Sequence, residues 1–114
     1  MRRRDPIALF PAFLKLGGRR VVIVGGGPVA ASKIAALQTA GADIVVVAPD
    51  VCAEIDASGV AVLRKPFEPA DLTGAWFVVA AAPPEVNRRV AEEGERLRVF
   101  VNAVDDPAHA SVYL

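Results

Sequence analysis

The residues best suited to chemistry stand in one run, Gly25-Gly26-Gly27-Pro28-Val29-Ala30. The run fits G-x-G-x-x-G/A. Alone that pattern is weak, because glycine triplets also make plain turns. Its context strengthens it: a β-branched apolar run precedes it, a helical periodicity follows, and then a second β-branched run. Gly25 permits a tight turn, Gly27 lets a pyrophosphate approach the backbone, and Ala30 lets the helix lie close to the strand. Free N–H groups and the helix dipole would face the phosphates. Pro28 removes one of those donors. The bland alternative is a tight βα turn with no ligand.

A dinucleotide site of this kind wants an acid near the end of the second strand to bind the adenosine ribose. Asp50 is the candidate, about 25 positions beyond Gly25 where the fingerprint asks for about 20. No Arg or Lys lies between Val45 and Leu63 to hold a 2′-phosphate, which favours NAD over NADP. Asp50 also suits a helix N-cap, and the two roles are compatible. Further on, Asp105 follows a fifth apolar run. A carboxylate there could accept a proton beside a nicotinamide. On residues alone, Asp105-Asp106-Pro107 reads better as a turn.

The elements that position these residues alternate. Strands are expected at 20–24, 43–48, 60–64, 76–81 and 99–102. Clear helices are expected at 28–40, with Ala30, Ile34 and Leu37 inward, and at 84–97, with Val86, Val90 and Leu97 on one face. Residues 50–58 suit a short helix and 68–72 a helical turn. Arg88, Arg89, Glu92, Glu93 and Glu95 read as mostly solvated. Such alternation implies right-handed crossovers and an α/β, doubly wound parallel sheet (Rossmann-like), about five parallel strands in order 3-2-1-4-5 with helices on both faces. Ligands then bind at the carboxyl ends of the strands, which gathers 25–29, 48–50, 80–84 and 102–106.

The composition narrows the field. The 114 residues suit one domain, with residues 1–10 a partly flexible tail. Thirteen Lys+Arg balance thirteen Asp+Glu, so no net positive field draws the chain to nucleic acid or anionic lipid. Cys52 is the only cysteine, which rules out an internal disulfide and a Cys-based zinc cluster. No apolar run approaches the roughly 20 residues of a membrane span. Residues 7–14, broken by Pro11, read as a buried extended segment and no export signal, so a cytoplasmic protein is expected. His109, the only histidine, reads as a surface residue and no metal site is expected.

At this point the sequence resembles a known family. Pro11-Ala12-Phe13-Leu14-Lys15-Leu16 followed by Arg20 to Lys33 is similar to the amino-terminal module of siroheme synthase. Phe100-Val101-Asn102-Ala103-Val104-Asp105-Asp106-Pro107 resembles that module's second motif, Asn-x-Val-Asp with a short run to Ser, here Ser111. The resemblance implies an NAD-dependent precorrin-2 dehydrogenase: precorrin-2 loses a hydride to NAD and a proton, giving sirohydrochlorin. In many members ferrous iron is then inserted, a ferrochelatase step. By position, Pro28, Val29, Pro49, Asp50 and Ala82 would contact NAD, and Asp105 would be catalytic. Where many relatives place Thr and Asp after the fourth strand, this chain has the apolar Ala81-Ala82-Pro83-Pro84. The implied substrate carries eight carboxylates, and Arg64 and Lys65 are the basic residues retained as candidates to meet it. The family continues into a dimerising segment and a helical region beyond residue 114, so a homodimer is implied for the longer protein. The competing expectation is a non-catalytic module that senses NAD(H) or an adenine nucleotide. The Asn102–Pro107 motif separates the two, because a sensor has no use for it.

Overall fold

The computed structural model describes residues 9–104 and 110–112. Asp105, Asp106, Pro107 and His109 therefore lie outside the described residues. Strand β1 (Arg20–Val24) leads into helix α1 (Pro28–Thr39), β2 (Asp43–Ala48), α2 (Ala53–Ser58) and β3 (Ala61–Arg64). A 3₁₀ turn (Pro69–Leu72), β4 (Phe77–Ala80), α3 (Pro84–Leu97) and β5 (Phe100–Ala103) follow. The sheet order is β3-β2-β1-β4-β5, and every pair is parallel. The expected doubly wound fold is present.

Central strands need apolar residues on both faces, which explains their unbroken β-branched runs. On one face Val22, Val24, Val45, Val47 and Val78 pack under α3 and the 3₁₀ turn. On the other, Val21, Ile23, Val46 and Val79 pack under α1 and α2, with Ala30, Ile34, Leu37 and Ile55. The three inward residues expected on α1 are the three that are buried there. On α3, Gly94 meets β5 so closely that an added Cβ would lie 2.4 Å from Val101 Cγ2.

Four local expectations are corrected. The short helix starts at Ala53, three residues later than expected, because the backbone before it is engaged elsewhere: Cys52 N–H donates to Gly26 O at 2.8 Å. β5 begins at Phe100, because Val99 N–H caps α3 by donating to Gly94 O at 2.9 Å. Trp76 lies before β4 and is half exposed, with the Arg19 guanidinium 3.8 Å from its ring centroid. The described part of the leading apolar segment is not buried: Leu9, Phe10 and Phe13 are exposed. It joins neither edge of the sheet, and among the described residues the chain first enters the core at Leu16.

Candidate functional site

The carboxyl ends of β1, β2 and β4 surround a cavity of about 640 Å³. The glycine loop, residues 47–52, Pro66–Phe67, residues 81–83 and one face of α3 form its walls. The expected carboxyl edge is thus met at three of its four loops; of the fourth, Asn102 to Val104 do not line the cavity, and residues 105 and 106 lie outside the described residues.

The glycine loop is built as a cradle. Gly25 has φ +133°, and its N–H donates to Val47 O at 3.0 Å. A Cβ there would lie 2.3 Å from Ala81 O, so no larger residue fits between β1 and the end of β4. Gly26 is pinned by the β2–α2 loop through Cys52. Gly27 is the N-cap of α1, and a Cβ on it would meet nothing within 4 Å. The loop is therefore closed behind Gly25 and Gly26 and open at Gly27, where a phosphate would approach. Among the described residues, the N–H groups of Gly26, Gly27, Val29 and Ala30 donate to no backbone acceptor. Pro28 holds the first position of α1 and no acid stands in its first turn to neutralise that positive end. Val29 is exposed there and Ala30 is fully buried against the sheet. These features fit a dinucleotide's pyrophosphate.

Pro49 and Asp50 line the cavity at the end of β2. The N-cap reading of Asp50 fails: Cys52 caps α2 and no side-chain bond does so. Among the described residues the Asp50 carboxylate makes no side-chain hydrogen bond. It is exposed at the cavity edge, suitably placed for a ribose hydroxyl. Ala82 also lines the cavity, and its N–H donates to Asn87 Oδ1 at 3.0 Å. Asn87 is 4% exposed, so this buried amide fixes the β4–α3 loop.

Arg64 and Lys65, the candidates to meet a polycarboxylate, are each paired with acids of this chain. Arg64 pairs with Asp56 at 2.6 Å, and Lys65 Nζ pairs with Asp71 at 2.6 Å and Glu68 at 3.0 Å. The bond from Asp71, with help from Glu68, holds the Lys65 ammonium above its ordinary value. These pairs fasten the β3–3₁₀ loop that carries Phe67. Arg89, expected to be mostly solvated, is exposed and also lines the cavity wall. Only the packing of α3 over the β3–3₁₀ loop brings it there, which no local sequence signal announces.

The second motif is tied at its ends. Ser111 N–H donates to Val101 O at 2.7 Å, and Val101 N–H donates to Ser111 Oγ at 2.7 Å. Asn102 Nδ2 donates to Val112 O at 3.0 Å from a buried position. Asn102 and Ser111 thus join the strand to the returning chain. Asp105, the catalytic candidate, lies outside the described residues.

A cavity at the switch point of a parallel sheet, with a glycine loop at one wall, defines a dinucleotide-binding α/β module. Residues 12–114 match the model of an NAD(P)-binding family, and the chain belongs to that family. It is similar to siroheme synthase 3 of Aeromonas hydrophila subsp. hydrophila, with 43% identity over 106 residues, covering 89% of this chain and 23% of that protein. It is also similar to the siroheme synthase of Photorhabdus laumondii subsp. laumondii, 40% identical over 106 residues with the same coverage. Among solved structures it matches SirC, precorrin-2 dehydrogenase, with TM-score 0.80 and 33% identity, covering 93% of this chain and 54% of that one. The chain thus spans about a quarter of the length of those siroheme synthases.

Proposed function

We propose that this chain is the NAD-binding module of a precorrin-2 dehydrogenase acting in sirohaem synthesis. One observation carries the reading: 93% of the chain superposes on a precorrin-2 dehydrogenase at 33% identity. The glycine cradle and Asp50 support NAD as the cofactor, because the residue at the end of β2 is an acid. NAD bound there supplies the hydride acceptor for converting precorrin-2 to sirohydrochlorin. In this reading Gly25, Gly26 and Gly27 shape the phosphate cradle, and Pro28 and Val29 begin the helix that faces it. Pro49, Asp50 and Ala82 border the adenosine half, and Asp105 accepts the proton.

The tetrapyrrole substrate, ferrous iron as a second substrate, a homodimeric full-length protein and a cytoplasmic location belong to the same proposal. The test is calorimetric titration of the chain with NAD, followed by an anaerobic assay of the full-length protein with precorrin-2. Saturable NAD binding and NADH formation are expected. A chain that binds no NAD removes the proposal.

A further inference from the structure

Among the described residues, Asp50 and Arg89 are the charged side chains in the cavity walls. Asp50 stands at the end of β2. Arg89 stands on α3, one turn beyond Val86, so both side chains share the face that borders the cavity. Its guanidinium carbon lies 5.5 Å from the centroid of the Phe67 ring, and Nη2 approaches Phe67 O at 3.5 Å. Phe67 itself is 5% exposed and belongs to the core under α3. A rigid ring therefore backs the guanidinium, and a planar cation stands at the mouth of an otherwise apolar space. Pro49, Val51, Pro66, Pro83 and Val86 supply its other flat or branched apolar surfaces.

We infer that Arg89, backed by Phe67, is the residue that grips the adenine of the cofactor, stacking its guanidinium plane on the base. The inference rests on the reading of this cavity as the cofactor site, and it adds a specificity-determining residue to it. A guanidinium plane stacks on flat π systems, which an ammonium cannot reproduce. The rival role for an arginine here is to hold a 2′-phosphate. Asp50 opposes that role, because its carboxylate would repel a phosphate on the ribose it faces. The pyrophosphate already has the open N–H groups at Gly27. The base is the part of the ligand left for the apolar walls and the cation.

The experiment is calorimetric titration of the chain and its Arg89→Ala and Arg89→Lys variants with NAD, NADP, AMP and nicotinamide mononucleotide. Arg89 is exposed, so both variants should fold, and thermal melting checks this. Arg89→Ala should weaken NAD and AMP roughly 3- to 30-fold, the range of cation–π contacts from exposed to desolvated. Nicotinamide mononucleotide, which lacks adenine, should bind all three proteins alike. Arg89→Lys should stay weak for NAD and AMP, since it keeps the charge and loses the plane. Parental NAD affinity in Arg89→Ala would overturn the inference and leave the cofactor reading standing. A loss confined to NADP and restored by Lys would also overturn it, making Arg89 a phosphate reader. If the parent chain bound no NAD, the cofactor reading would fall, and this inference with it.

Discussion

The carbonyl oxygen of Asp50 lies 1.8 Å from the point that a Cβ on Gly26 would occupy. The middle glycine of the run, which the dinucleotide pattern leaves unspecified, is thus the one with least room. The backbone that presents the ribose-facing acid is pressed directly against the phosphate loop. Two halves of the proposed cofactor site are therefore one packed unit, further tied by Cys52 N–H and Gly26 O.

That contact separates the glycines by experiment. Gly26→Ala must push the β2–α2 loop away from β1, and overpacking of backbone against side chain should cost about 3 kcal/mol or more. Gly27→Val adds its atoms to open space, at a backbone φ of −93° that valine tolerates. Its stability should stay within about 1 kcal/mol, the scale of a changed N-cap. NAD affinity should nevertheless fall at least tenfold, because the branched side chain stands where phosphate approaches. Urea denaturation and NAD titration of both variants check the contrast. A Gly27→Val protein that bound NAD like the parent would remove the phosphate-loop assignment.

Asn87 holds the other wall. Asn87→Ala leaves the Ala82 N–H without its acceptor and should cost about 1–3 kcal/mol, the penalty of an orphaned amide. Because Ala82 lines the cavity, NAD affinity should drop as well, whereas replacing the exposed Arg88 should change neither. Equal urea midpoints for Asn87→Ala and the parent would show that the bond contributes nothing.

The fold was legible because each buried strand is a bounded β-branched run and each long helix opens with proline. Pro28 and Pro84 mark both helix starts to the residue. Boundaries set by tertiary bonds were not legible. Cys52 and Val99 spend their N–H groups on distant carbonyls, Gly26 O and Gly94 O, which shifts α2 and β5. The site was half legible for the same reason. Gly25, Gly27 and Asp50 follow from spacing along one βαβ unit. Asn87 and Arg89 reach the cavity only through the way α3 lies on the sheet. Arg64 and Lys65 were open candidates because their partners, Asp56 and Asp71, lie on other turns of the chain.

Acid stability should depend on Glu93. Arg96 holds it through Nε at 3.0 Å and through a second bond from Nη2, and that pairing keeps its carboxyl below the ordinary value. The folded chain therefore binds this proton less tightly than the unfolded chain. The stabilisation is fully present above about pH 4.5 and is lost as pH falls through the folded value. Glu93→Gln should flatten the decline of urea midpoints in that acid range. Lys65 behaves in the opposite sense: its raised value means stability held below the ordinary lysine range and lost as pH rises through the folded value. Lys65→Met should flatten the alkaline decline. Unchanged pH profiles in both variants would mean that these pairs do not distinguish the folded from the unfolded chain.

Asp105 carries the last prediction, which belongs to the proposed dehydrogenase. Asp105→Asn keeps shape and hydrogen bonding and removes basicity. If the carboxylate accepts the proton that leaves as precorrin-2 is oxidised, turnover in the full-length protein should slow by about 10²–10⁴, the usual range for a positioned acid or base. NAD affinity should stay within a few-fold, because the cofactor contacts proposed at Gly27, Asp50 and Ala82 lie on other loops. Asp106→Asn is the internal control: the sequence assigns Asp106 no chemical role, so turnover should stay nearly unchanged. The pH profile adds a second readout: the parent's kcat should fall at acid pH as the carboxylate is protonated, and the residual rate of Asp105→Asn should lose that limb. Parental turnover in Asp105→Asn would return the residue to a turn. Asp106 essential and Asp105 dispensable would place the proton acceptor one residue further along the chain.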